Sequence, residues 1–143
     1  MTAVNRSAIV RHTPQQMFDL VNDIAAYPRR FGWCEAAEVL SHDGDELVAR
    51  LAVRMGALRT SFTTRNRLDP PLRIGMSLVE GPFNQLAGAW HFLPIGNDGC
   101  KVTLELDFEV AGRFLGTALA FGFQGLADRM VDDFCREARR TNG

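Results

Sequence analysis

Apolar positions along the chain recur first at helical spacing, then at every second residue, then at helical spacing again, and these switches divide it into elements. Residues 4–11 read as a first strand. Thr13-Pro14 then offers an N-cap with proline in the first helical turn, where its missing N–H costs nothing. Met17, Phe18, Val21 and Ile24 follow at the spacing of an amphipathic helix. Tyr27-Pro28 is expected to end or bend that helix, because a residue before proline avoids the helical region, with a second helical turn around residues 25–30. From there to Val110 the period is two. Leu47, Ala49, Leu51, Val53 and Met55 alternate with Arg50 and Arg54 after the hairpin signal Asp43-Gly44. Leu58, Thr60, Phe62 and Thr64 alternate with Arg59, Ser61, Thr63 and Arg65. Leu72, Ile74, Met76 and Leu78 form another face after Pro70-Pro71, as do Leu86, Gly88, Trp90 and Phe92 after Gly81-Pro82. The clearest alternation sets Cys100, Val102, Leu104, Leu106, Phe108 and Val110 against Lys101, Thr103, Glu105, Asp107 and Glu109. A last helix is expected over residues 113–140, with the stripe Leu115, Leu119, Phe123, Leu126, Met130 and Phe134.

This order predicts an α+β fold. Six or seven antiparallel strands, each with one apolar face, curve around the long C-terminal helix, and one or two short helices follow the first strand. Leu104, Leu106 and Phe108 should face the helix. With 143 residues and no linker or repeat, the chain reads as a single domain over residues 1–143. Its 46% hydrophobic and 23% charged residues are ordinary for a globular protein, and a net charge of −1 gives no global field to draw in nucleic acid or an anionic membrane. Residues 1–11 lack an apolar signal segment, and the uncharged stretch Phe114–Ala127 is too short and glycine-rich to span a bilayer. Cys34, Cys100 and Cys135 show no metal-ligand spacing and read as reduced thiols, so a cytoplasmic protein is expected.

Gly116, Gly122 and Gly125 interrupt the last helix, each at a cost of about 1 kcal/mol against alanine. Either the helix packs closely on the sheet at these points, or the missing side chains leave a void walled by Phe114, Phe121 and Phe123. The same helix is apolar almost all round from Phe114 to Phe123. His12, His42 and His91 are scattered without metal spacing, and His91 falls on the strand face opposite Trp90 and Phe92. Asp132, Asp133 and Glu137 read as the wet side of the terminal helix. No nucleophile elbow, P-loop or dinucleotide fingerprint occurs, so neither catalytic residues nor a metal site are expected.

Fifteen of the sixteen basic residues are arginines. Arg50, Arg54, Arg59, Arg65 and Arg67 lie on the outer strand face, with Arg29 and Arg30 near the helical connection. Such a stripe can hold phosphates. Glu105, Asp107 and Glu109 on the last strand offer cross-strand ion pairing that would instead absorb the charge into a mixed solvated surface.

At this point a family resemblance enters. Tyr27-Pro28 followed by Trp33-Cys34, the run Ser61-Phe62-Thr63-Thr64-Arg65-Asn66, Gly81-Pro82-Phe83 with Leu86, Trp90-His91-Phe92, and Met130-Val131 with Phe134 occur in one order over nearly the whole chain. In this the chain resembles the bacterial ribosome association toxin family, related to mitochondrial coenzyme Q-binding proteins within the helix-grip, START-like (polyketide cyclase-like) superfamily. One departure is Phe31-Gly32, where the family commonly has leucine-proline before the tryptophan. Glycine loosens a turn that proline would fix.

The resemblance implies a non-catalytic protein that binds ubiquinone or an isoprenoid lipid and supports respiration, with that molecule as its only bound group and no required cofactor. An apolar groove between sheet and helix argues for the same from the residues. Phe62, Met76, Trp90 and Phe92 are expected to line its sheet side, with Leu119, Phe123 and Leu126 opposite. Tyr27 and Trp33 are placed at the mouth, and Arg65 or Tyr27 are the donors for a quinone head. The alternative is binding to the large ribosomal subunit to block subunit association, with Arg54, Arg59, Arg65 and Arg67 in the rRNA contact. A cyclase-like enzyme is the third reading. The partners implied are a hydrophobic small molecule, the large ribosomal subunit, and the inner membrane touched peripherally.

Overall fold

The computed structural model describes residues 1–112 and 116–142. Strand β1 (Thr2–Val10) leads into helix α1 (Pro14–Asn22), a 3-10 turn (Ile24–Ala26) and helix α2 (Tyr27–Arg30). Six strands follow: β2 (Cys34–Asp43), β3 (Glu46–Met55), β4 (Leu58–Asp69), β5 (Arg73–Glu80), β6 (Phe83–Ile95) and β7 (Gly99–Val110). Helix α3 (Gly116–Asn142) closes the chain. All neighbours pair antiparallel in the order β1-β7-β6-β5-β4-β3-β2, so the first strand crosses to pair with the last.

Local chemistry accounts for the boundaries. Thr13 caps α1 through Oγ1, which accepts from the Gln16 backbone N–H at 3.1 Å, while Gln16 Oε1 accepts from the Thr13 N–H at 2.8 Å. Two orphan donors are thus satisfied reciprocally. Pro28 does not end a helix as expected. It sits in the first turn of α2, where no N–H is needed, and α1 stops earlier, at Asn22. The first strand runs from residue 2 rather than 4, and the last helix extends to Asn142; residues 113–115, expected to begin it, lie outside the described residues. Gly44 adopts φ +60° in the β2–β3 turn, which supports the hairpin read from Asp43-Gly44.

One face of the sheet is buried along β3, β6 and β7, whereas most of β2 is exposed. Leu104, Leu106 and Phe108 are 1%, 7% and 0% exposed, facing α3 as the alternation predicts. Curvature has a local origin at Gly88, which pairs with Leu106 across the β6–β7 ladder. A Cβ built there would lie 2.1 Å from the Glu105 carbonyl oxygen and 2.8 Å from Leu106 Cα, so the two backbones approach too closely for any side chain. The β5–β6 ladder is recorded only from Arg73↔His91 to Ser77↔Ala87, and bulges lie between Thr63 and Thr64 and between Phe83 and Gln85. Bends of this kind let a sheet wrap around a helix.

Two aromatic clusters fix α3 on the sheet. Near its start, Phe123 meets Phe62, Phe83 and Phe108 edge-on at 5.6, 4.9 and 4.9 Å. Three turns later, Phe134 meets Tyr27, Phe31 and Trp90 at 5.4, 4.6 and 5.2 Å.

Gly88→Ala should destabilise the protein by about 3 kcal/mol or more, the upper end of overpacking costs, because backbone must move. Gly125→Ala, where a Cβ meets nothing within 4 Å, should gain up to about 1 kcal/mol of helix propensity. Denaturant midpoints of the two variants check the contrast.

Candidate ligand cavity

Between the two aromatic clusters the helix does not touch the sheet fully, and a cavity of about 70 Å³ remains. From α3, Phe123, Leu126 and Met130 line it at helical spacing; from the sheet come Ala49, Leu51, Val53, Phe62, Ile74, Met76, Leu86, Trp90, Leu104 and Leu106. Tyr27, Trp33, Val21 and Ile24 close the end beneath α1 and α2. The volume is about half that of an engineered cavity that takes up benzene, so a guest enters only if the walls move. Met76 and Met130 are the walls most able to do so, being unbranched and rich in rotatable bonds.

Polar groups in this lining are few and specific. Asn66 is 6% exposed, and its Oδ1 accepts from Thr64 Oγ1 at 2.9 Å. The carbonyl end of the amide is thereby engaged, and no hydrogen bond is present for its NH2 among the described residues, with Asn66 part of the cavity lining. Asn22 Oδ1 is buried with no partner. Leaving a buried acceptor unmatched costs about 1–3 kcal/mol, a cost a donor from a bound molecule would offset. Among the described residues, no Asp, Glu or His lines the cavity.

Several expected site residues stand elsewhere. Arg65 lies on the outer face, its Nε 2.8 Å from Glu46 Oε1, because it alternates with the inward Thr64 and Asn66. Tyr27 and Trp33 are not at a wet mouth but 5% and 4% exposed. The Tyr27 hydroxyl donates to the Val21 carbonyl, and burial pushes its ionisation far above the usual phenol range. It is therefore not a free donor for a quinone. Phe92 is buried beside Phe18 and Trp90 and does not reach the cavity. Leu119 is half-buried in the first turns of α3, short of it. The helix glycines do not make the void either. Gly122 packs against Met55, with a built Cβ 3.1 Å from that side chain, Gly125 faces open space, and Phe121 is 73% exposed on the outer side.

Of the terminal-helix carboxylates expected on the wet side, Asp132 is exposed as read, whereas Glu137 and Asp133 are structural. Glu137 is 7% exposed and accepts from Arg30 Nη1 at 2.9 Å and Arg140 Nη2 at 2.6 Å. The hydrogen bonds from Arg140, together with Arg30, hold its carboxyl below the usual range against the opposing effect of burial. Asp133 Oδ2 accepts from the Trp33 indole N–H at 3.1 Å. The three cysteines are buried, and desolvation pushes each thiol up to about 11, so none is a thiolate at neutral pH. No group of metal-ligating side chains occurs among the described residues. No helix among them is long and apolar enough to cross a membrane.

A curved antiparallel sheet gripping a C-terminal helix, with a cavity between the two, defines a START-like helix-grip protein. A START superfamily protein from Mycobacterium smegmatis superimposes with a TM-score of 0.82 at 18% identity, over 96% of this chain and 97% of that one. The Zhui aromatase/cyclase from Streptomyces does so at 0.83 and 22%, over 97% and 94%. The chain belongs to the family described as polyketide cyclase / dehydrase and lipid transport, whose sequence profile matches residues 10–135. It is 41% identical, over 99% of each chain, to a Pseudomonas aeruginosa protein named ribosome association toxin RatA. To the mitochondrial coenzyme Q-binding protein coq10 of Schizosaccharomyces pombe it is 23% identical, over 93% of this chain and 84% of that protein.

Proposed function

We propose that the protein binds a hydrophobic small molecule of the quinone or isoprenoid class between α3 and the sheet, without transforming it. The observation that carries this is an apolar cavity holding one buried amide with a free NH2 (Asn66) and one unpartnered acceptor (Asn22). A hydrocarbon tail needs only apolar area, worth about 25 cal/mol per Å² removed from water. A quinone carbonyl needs a donor, and Asn66 supplies it in a dry setting where one matched hydrogen bond discriminates strongly. The lipid transport in the family description and the name of the coq10 relative support the reading.

Purified protein titrated with a short-chain ubiquinone should quench tryptophan fluorescence, since Trp33 and Trp90 both line the cavity. Ala49→Ile, which fills it from β3, should weaken binding by about tenfold or more. Asn66→Leu should lose the quinone yet keep the corresponding hydrocarbon. Unchanged quinone affinity in a folded Ala49→Ile protein would place binding elsewhere.

A second reading, association with the large ribosomal subunit, is favoured by the 41% identity to a protein of that name. Of the arginines it would use, Arg59 is 3.2 Å from Glu35 and Arg65 2.8 Å from Glu46, while no ion pair is recorded for Arg54 or Arg67 among the described residues. The acidic partners are thus on β2 and β3, not on the last strand as expected. On this reading, co-sedimentation with large subunits falls steeply as salt rises, through counterion release, and Arg54→Ala with Arg67→Ala flattens the dependence. Salt-indifferent co-sedimentation contradicts it.

A further inference from the structure

Behind Trp33, on the side away from the apolar cavity, lies a second concavity of about 530 Å³ whose lining differs sharply in character. Arg30, Arg54, Arg129, Arg136 and Arg140 line it against only Asp133 and Glu137, an excess of three positive charges in a protein whose net charge is −1. Both carboxylates are already committed. Glu137 is held by Arg30 and Arg140, and Asp133 by Trp33, by Arg136 at 3.1 Å and more loosely by Arg129 at 3.9 Å. Donors remain unused. Arg54 makes only a 3.4 Å contact with the Gly32 carbonyl, and Arg30 Nε is buried with no partner. Gly32 and Gly56 form part of the lining and present no side chain.

Trp33 is the shared wall. It lines both spaces, stacks on Phe31 at 5.0 Å, and is tied to the groove by its bond to Asp133 and by the Arg54 N–H, which donates to the Trp33 carbonyl at 2.8 Å. We propose that this arginine groove binds the phosphate head of an amphipathic lipid whose apolar tail occupies the cavity on the other side of Trp33. The proposal rests on the cavity reading above and gives that ligand an anionic end. Guanidinium groups suit a phosphate because their paired N–H donors match its oxygens. A discrete head group fits better than a nucleic-acid backbone, because the groove is concave, carbonyl-rimmed at Gly32 and interrupted by two carboxylates. Elsewhere on the sheet, Arg59, Arg50 and Arg65 are paired to Glu35, Glu38 and Glu46.

Farnesyl phosphate below its micellar concentration, farnesol and inorganic phosphate are the probes, each followed by calorimetry and tryptophan fluorescence. Farnesyl phosphate is expected to bind about tenfold or more tighter than either farnesol or phosphate alone. The Arg54→Gln, Arg129→Gln double variant should lose that preference while its melting temperature and farnesol affinity hold, as both side chains are exposed. Equal affinity for farnesol and its phosphate, or a preference that survives the double variant, overturns the proposal while leaving the cavity reading standing. Farnesyl phosphate binding no tighter than inorganic phosphate makes the groove a site for free anions and overturns the lipid assignment. Stronger binding of a single-stranded RNA oligomer, abolished in the same variant, overturns it in favour of an RNA contact. Absence of binding by all three probes sinks both this proposal and the cavity reading.

Discussion

The stand-off between α3 and the sheet is set by two aromatic residues of the helix, and the rest of the molecule follows from it. Phe123 and Phe134 are eleven positions apart, about 16 Å along the axis, and each is held by three rings. Such pairs contribute about 0.5–1.5 kcal/mol each beyond the area they bury, and they prefer the edge-on geometry observed at most of these contacts. Rings are large and rigid. A helix propped on them at two points cannot settle onto the sheet between, where Leu126 and Met130 are too small to fill the gap.

The resulting space is apolar but not featureless. Asn66 and Asn22 are part of its wall, with Asn22 Oδ1 buried and unpartnered, and Trp33 lines both it and a basic groove. Conformational adjustment is built in through methionine rather than through a hinge. Met76 and Met130 are partly buried at the cavity, and both can exchange rotamers without breaking a hydrogen bond. A small resting cavity is then compatible with a larger guest, at the cost of moving soft side chains and not backbone.

How much of this the sequence carried depended on the kind of signal. Alternation on β3, β6 and β7 fixed which faces are inward, since a strand's side-chain period is two, and the helical stripe placed Phe123, Leu126 and Met130. The same counting held the answer to the polar residue of the cavity. Asn66 is in phase with Phe62 and Thr64, whereas Arg65, chosen for its donors, is out of phase and faces solvent. Strand β2 shows almost no alternation because most of it is exposed, so only the Asp43-Gly44 turn implied it. The tie between Trp33 and Asp133 spans a hundred positions, and no local pattern announces such a pair. Gly122 and Gly125 misled for a related reason. A glycine in a helix marks close approach or open surface as readily as a void, and here it marks the first two.

The claim at the centre is that the space between Phe123 and Phe134 opens to take a hydrophobic guest. Four of the five methionines are natural reporters: Met76 and Met130 line the space, Met17 is buried away from it, and Met1 is exposed. Protein labelled with 13C at the methionine methyl groups, titrated with a short-chain ubiquinone and followed by NMR, tests the claim directly. The account predicts large saturable shifts at Met76 and Met130, with Met17 and Met1 nearly still. Binding that leaves Met76 and Met130 unmoved, or shifts confined to Met1, would contradict it.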